Sequence, residues 1–286
     1  MTFETIETAV RNGVGIVWLN RPEMRNAFNE TMIAELTRAF GEMEIDPRVR
    51  AVVLAAHGKA FCAGADLNWM KKMSGYADKE NYADAMALAN MLRTLHTLRK
   101  PTIARVQGPA YAGGMGLLSA CDIAVAAIGA EFCLSEVKLG LVPATISPYV
   151  IAAMGERMAR RYYLSAEVFT AAEAYRIGLV QELVIDEEID LAINGILGRI
   201  LLGAPGAHAA TKDLIKAVAG VPLTPALIAD TAQRIATARS SAEGREGVRA
   251  FLEKDRPGWL PKTKASAARK ARQRLQKGHG DAEEYL

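Results

Sequence analysis

Ala60-Phe61-Cys62-Ala63-Gly64-Ala65-Asp66-Leu67 and Gly108-Pro109-Ala110-Tyr111-Ala112-Gly113-Gly114-Met115-Gly116 are the two stretches on which the reading of this chain turns. Each follows an apolar run with the length and composition of a buried strand, residues 51–56 and 101–106, and each precedes a helical pattern. At a strand-to-helix turn the first backbone N–H groups of the helix have no partner within it, and the helix dipole adds positive potential. Two such turns facing each other can grip one oxygen that gains negative charge during a reaction. That is an oxyanion hole built from backbone alone. The competing reading is that the glycines serve only tight packing.

Working outward, the pattern alternates between strand and helix. Residues 4–10 and 14–19 read as a strand pair joined by Asn12-Gly13, a hairpin signal. Asn29 can cap a helix whose apolar stripe is Ile33, Leu36, Phe40 and Met43, ended by Asp46-Pro47. A long helix is expected over 79–98, a buried small-residue helix over 113–120 and a strand over 123–127. Alternating strands and helices predict an α/β fold with a covered sheet. From about residue 146 the pattern becomes helical, with segments at 146–154, 157–164, 171–177, 191–202, 207–219, 226–239 and 242–253; Gly178-Leu179-Val180 is the expected start of one short strand. The expected organisation is a core over 1–200, a C-terminal helical region over 201–261 and a basic tail over 262–286.

Composition narrows the function classes. The 286 residues are 50% hydrophobic and 23% charged, ordinary for a soluble globular protein, and no apolar run approaches a membrane span. The net charge of +3 is uneven: residues 262–286 hold seven Lys and Arg against three Asp and Glu. A solvated tail is the expected reading, with nucleic acid or an anionic surface as the alternative partner. Three cysteines without CxxC spacing, and an N-terminus without the pattern of a secretory signal, lead us to expect a cytoplasmic protein with reduced thiols.

Motifs for other chemistries are missing. Gly114-Met115-Gly116 continues as Leu117-Leu118-Ser119, so there is no GxGxxG, and there is no GxxxxGK[ST] or GxSxG. His57, His96, His208 and His279 are scattered without metal-ligand spacing, so no metal is expected. The remaining candidate is Glu136, a lone carboxylate in Leu134-Ser135-Glu136-Val137-Lys138-Leu139-Gly140-Leu141-Val142-Pro143. Against apolar walls its pKa would rise, suiting it to proton transfer near neutral pH. The alternative is a solvent-facing glutamate paired with Lys138.

In order along the chain, Leu19-Asn20-Arg21-Pro22-Glu23, Asn26-Ala27-Phe28, both glycine-rich turns, Cys121-Asp122-Ile123-Ala124, the Glu136 stretch, Ala172-Glu173-Ala174 with Gly178-Leu179-Val180, and Phe251-Leu252-Glu253-Lys254 resemble the enoyl-CoA hydratase/isomerase (crotonase) superfamily. The resemblance covers the chain to about Trp259. It implies a crotonase-like spiral of strand-strand-helix units with a C-terminal helical oligomerisation region. It also implies an acyl-CoA thioester substrate, no separate cofactor because coenzyme A is part of the substrate, and homotrimers or hexamers. By the same resemblance the N–H groups of Ala65 and Gly113 hold the thioester oxygen, and Glu136 transfers the proton. Ala63, Asp66 and Leu67 line CoA, and Arg25 stands near its mouth. Gly114 and Gly116 border the substrate, and Phe251 and Lys254 reach a neighbouring subunit's CoA.

One departure bears on the reaction. Hydratases of this family use two glutamates; the second matches Glu136, and the first falls at Gly116, which has no side chain. A single glutamate suits the family's isomerases and can also activate water. The strings Asp66-Leu67-Asn68-Trp69-Met70, Pro109-Ala110-Tyr111-Ala112-Gly113-Gly114 and Pro143-Ala144-Thr145-Ile146-Ser147-Pro148-Tyr149 most resemble bacterial glutaconyl-type hydratases acting on branched acyl-CoAs. Hydration is therefore the expected reaction. Isomerisation is the first alternative, and a non-catalytic RNA-binding role through the tail is the second.

Overall fold

Six apolar residues in a row, Ala51–Ala56, are all buried and form the middle of the main sheet. The computed structural model describes residues 3–260 and divides them into two compact units that meet in sequence at Ile196 and Leu197.

In the first unit, β1 (Ile6–Arg11) and β2 (Val14–Leu19) form the expected hairpin, with Asn12 and Gly13 both at positive φ in the turn. The chain continues through α1 (Glu30–Ile45), β3 (Ala51–Ala56), α2 (Leu67–Met73), α3 (Asp78–His96), β4 (Thr102–Val106), β5 (Ala110–Tyr111), α4 (Gly113–Ala120), β6 (Ile123–Ala127) and β7 (Glu131–Cys133). Then come α5 (Ser147–Ser165), β8 (Phe169–Thr170), α6 (Ala171–Arg176) and β9 (Glu182–Val184). The main sheet has the order β1-β2-β3-β4-β6-β9 and is parallel after the first hairpin. A second sheet, β5-β7-β8, has strands of two or three residues. A strand of the main sheet, a short strand or bridge of the second, and a helix follow in turn, as in the spiral that the sequence resemblance implies.

Local chemistry explains the elements. Asn29 caps α1 by accepting a hydrogen bond from the Met32 N–H at 2.8 Å, and Met32, Ile33, Leu36, Ala39, Phe40 and Met43 make its buried stripe. The two helices expected over 146–164 are one run, α5, interrupted at Gly155 (φ 78°, ψ 155°), a conformation for which glycine is the natural residue. The strand expected at 178–180 is displaced to β9. Gly178 (φ 81°) turns the chain instead, and the N–H groups of Leu179 and Val180 donate back to Ala174 O.

The second unit begins within α7 (Ile189–Ile200) and contains α8 (Pro205–Val218), α9 (Pro225–Ser240) and α10 (Ala242–Glu253). Glu243 accepts from the first two free N–H groups of α8 within reach, Gly206 at 3.0 Å and Ala207 at 3.1 Å, and the Trp259 indole donates to Leu202 O. Among the described residues no single helix is long and apolar enough to cross a membrane. The basic tail lies outside the described residues.

Candidate active site

The two glycine-rich turns are laced together by their backbones. Cys62 and Ala110 form a parallel bridge, in which the Cys62 N–H donates to Pro109 O at 3.1 Å and the Tyr111 N–H to Cys62 O at 2.9 Å. Tyr111 in turn pairs with Cys133 across β5 and β7. Three neighbouring strand ends are therefore in register. On the row Cys62–Ala110–Phe132, Ala65 lies three residues beyond Cys62, Gly113 three beyond Ala110 and Glu136 four beyond Phe132. The three sequence-predicted residues thus follow the same end of three neighbouring parallel segments.

The first turn aims its donor by pairing. Phe28 and Ala65 form a parallel bridge, through Phe28 N–H to Gly64 O at 2.7 Å and Asp66 N–H to Phe28 O at 2.8 Å. In such a bridge the bonded groups flank Ala65, so its own N–H points away from Phe28. The turn is held from below by Asn26, which is fully buried. Its amide donates to His57 O and Ala60 O at 2.8 and 2.9 Å and accepts from the Arg21 N–H.

The second turn aims its donor by strain. Ala112 precedes α4 with φ 47° and ψ −115°, an unfavourable region for a residue with a Cβ. The cost is offset by the Ala112 N–H bond to Cys133 O and by the helix that begins at Gly113. Among the described residues neither Ala65 N–H nor Gly113 N–H has a hydrogen-bond partner. A Cβ at Gly113 would lie 2.7 Å from the Phe28 ring, and one at Gly114 would lie 2.6 Å from Cys62 O. Glycine is what allows α4 to sit this close to the first turn.

Glu136 opens the short 3-10 turn Glu136–Leu139 after β7. Burial raises its carboxyl above the ordinary value of 4.5, and Oε2 is buried without a hydrogen-bond partner. Its charge reaches two neighbours, Cys133 and Tyr163, and burial raises the pKa of both before Glu136 adds to the effect. Tyr163 OH is 3.3 Å from Ser147 Oγ, which also donates to Pro143 O at 2.6 Å. No ion pair joins Glu136 to Lys138 among the described residues. The solvent-facing alternative does not describe this side chain.

The flanking residues divide. Asp66 is 3% exposed. Burial works to raise its pKa, but the Arg21 guanidinium at 2.8 Å and the Asn68 and Trp69 N–H groups outweigh it and hold the carboxylate ionised. Its side chain thus caps α2 and pairs with Arg21. Ala63 donates to Arg25 O at 3.0 Å; Arg25, itself at φ 50°, is exposed and its charge reaches Tyr111. Leu67 is an exposed apolar residue at the start of α2. Phe251 and Lys254 belong to α10 and its C-cap in the other unit, where Phe251 is exposed.

Gly116 is buried, and the space beside it is filled. An added Cβ would overlap Ile146 Cγ2 and lie 2.9 Å from Ile146 Cβ and 3.5 Å from Leu92 Cδ1. Sequence reasoning assigned no role to Ile146, Tyr163 or the Asn26 amide. Only Asn26, a short polar residue before an apolar pair, carried a local signal. Among the described residues no group of three or more His, Cys, Asp or Glu side chains has the arrangement to hold a metal ion.

Comparison with known proteins adds to this geometry. The enoyl-CoA hydratase/isomerase family model matches residues 9–262. A provisionally named enoyl-CoA hydratase of Thermus thermophilus is 37% identical over 245 residues, 85% of this chain and 96% of its own. A crotonyl-CoA hydratase of Syntrophomonas wolfei is 30% identical over 264 residues, 92% of this chain and all of its own. Among solved structures, an enoyl-CoA hydratase of Shewanella pealeana superposes with a TM-score of 0.88 at 40% identity, covering 90% of this chain and 96% of that one.

Proposed function

This chain belongs to the enoyl-CoA hydratase/isomerase family, and from that premise we propose that it is a lyase adding water across the double bond of a 2-enoyl-CoA. The observation that carries the reading is that two backbone donors without partners, Ala65 N–H and Gly113 N–H, and the half-buried carboxyl of Glu136 follow the same end of three neighbouring parallel segments.

The chemistry follows from that arrangement. The thioester oxygen accepts from both N–H groups, so the β-carbon becomes electrophilic and the α-carbon can carry enolate character. Glu136 accepts a proton from water as its oxygen bonds to the β-carbon. As the enolate collapses, the protonated Glu136 gives that proton to the α-carbon, so water is added across the double bond and the carboxylate is restored. Donors fixed by bridges and by a helix N-terminus need no reorganisation as charge develops. Arg25, Ala63, Asp66 and Leu67 border the CoA moiety in this reading, with Gly114 and Gly116 beside the acyl group and Asp66 contributing through its backbone. Phe251 and Lys254 contact the CoA of a neighbouring subunit.

The favoured substrate is a branched, glutaconyl-type 2-enoyl-CoA, supported by the sequence strings around Tyr111 and Ile146. A second reading, double-bond isomerisation, is favoured by one observation: α4, Gly113–Ala120, contains no acidic residue, so it adds no second carboxyl to Glu136. A single carboxyl suffices to carry a proton between the α and γ carbons. Subunit assembly is part of the proposal, supported by exposed Leu202, Ile215, Leu223, Phe251 and Leu252 in the second unit. So is a reducing, cytoplasmic location, supported by three free cysteines. Incubation with matched 2-enoyl- and 3-enoyl-CoA esters, straight and branched, tests the reading by product identity. The expected product is a 3-hydroxyacyl-CoA; a migrated double bond without added water selects isomerisation.

A further inference from the structure

Gly113 and Gly116 are three residues apart on α4, so they share one face of the helix. The surroundings of that face change within one turn. At Gly113 it meets the Phe28 ring, and at Gly116 it meets Ile146 and Leu92. Leu92 comes from α3 and Ile146 stands at the N-cap of α5; both are buried, at 0% and 2% exposure. Ile146 is fixed by its neighbour. Ser147 is tied to Pro143 O and to Tyr163 OH, and Tyr163 lies within electrostatic reach of Glu136. The Ile146 side chain therefore stands one helical turn beyond the oxyanion donor, on the side where α5 also brings Tyr163 towards the carboxyl.

We propose that Ile146 is a specificity-determining residue, the wall against which the acyl group ends as it runs from the thioester past Gly113. This inference rests on the acyl-CoA reading above and deepens it. Glycine at 116 and isoleucine at 146 act as a pair: the absence of a Cβ on α4 is what lets the α5 side chain come close enough to close the site. Shortening Ile146 removes methyl and methylene groups from the wall and opens room for a longer acyl group. One such group in an apolar pocket discriminates by about tenfold or more.

The test measures binding, so it does not depend on which reaction is catalysed. Affinities for saturated acyl-CoA esters from butyryl- to decanoyl-CoA are compared for the wild type, Ile146→Val and Ile146→Ala. The expected result is a stepwise shift toward longer esters, with the decanoyl-to-butyryl affinity ratio rising about tenfold in Ile146→Ala and less in Ile146→Val. A merely structural role would weaken all esters equally, and that uniform loss overturns the proposal. Ile146→Val keeps a β-branched core residue, so a flat profile in this variant, with an unchanged thermal midpoint, also overturns it if Ile146→Ala fails to fold. Wild-type binding of these esters with an unshifted variant profile rejects this inference alone. Absence of binding by the wild type rejects the acyl-CoA reading together with it.

Discussion

At Glu136 a half-buried carboxyl, with Oε2 shut away from water and without a hydrogen-bond partner, is asked to take a proton. Glu136→Gln keeps the shape and removes the proton transfer. Turnover should fall about 10²- to 10⁴-fold while acyl-CoA binding survives, as steady-state kinetics beside calorimetric titration would show. The same burial predicts an effect on stability. The folded-state pKa is raised above its unfolded value of 4.5, so the stabilising contribution of the neutral acid is fully present below that pH. It is lost as pH rises through the raised pKa. Glu136→Gln stays neutral throughout, so its thermal midpoint should exceed that of the wild type at neutral pH, with the advantage disappearing at pH 4 and below. An advantage independent of pH would contradict the burial argument. The candidacy of Glu136 was legible in sequence because a lone acid in an apolar stretch is unusual. The neighbours that matter to it, Tyr163 and Ile146, were not, since they arrive from α5 through packing.

At the scale of elements, two polar pairings hold the scaffold. Asp66 caps α2 and binds Arg21 across the first turn. Asp66→Ala removes the cap and leaves Arg21 without its partner, which should cost about 3 kcal/mol in chemical denaturation. Asp66→Asn, which can still cap, should cost less. On α5 the buried Tyr162 donates to Glu173 at 2.6 Å. Arg176 first, then Tyr162, hold the Glu173 carboxyl down to about 2, while burial first, then Glu173, pushes the Tyr162 phenol up to about 12. Because the folded pKa of Glu173 is depressed, its contribution is present above pH 4.5 and is lost as pH falls toward 2. Tyr162→Phe should therefore destabilise by about 2 kcal/mol at neutral pH, with a smaller difference in thermal midpoint near pH 3.

The long elements were readable because α1 shows a capped apolar stripe and β3 is apolar throughout. The second sheet was not, because strands of two or three residues are too short for any periodicity. Yet this sheet, with the isolated bridge at Cys62, sets the register of the segments that lead to Ala65, Gly113 and Glu136. In 178–180 an apolar pair after a glycine looked like a strand start. The turn at Gly178 and its bonds to Ala174 used those N–H groups first.

At the scale of the whole molecule, the second unit exposes large apolar side chains, Leu223 and Phe251 each at 82%. Such surfaces are costly to leave in water, so light scattering should report an assembly larger than a monomer, and Phe251→Asp combined with Leu223→Asp should shift it toward smaller species. Amphipathic helices were legible in the sequence of this region; the surface that they leave uncovered required the fold. The central claim is that two backbone donors and Glu136 form one site for acyl-CoA thioesters. Exchange of the α-protons of butyryl-CoA with deuterated water, followed by NMR, tests it most directly, because enolisation needs the oxyanion donors and the base but no double bond. The account predicts exchange with the wild type and its loss in Glu136→Gln. Equal exchange with both proteins would contradict it.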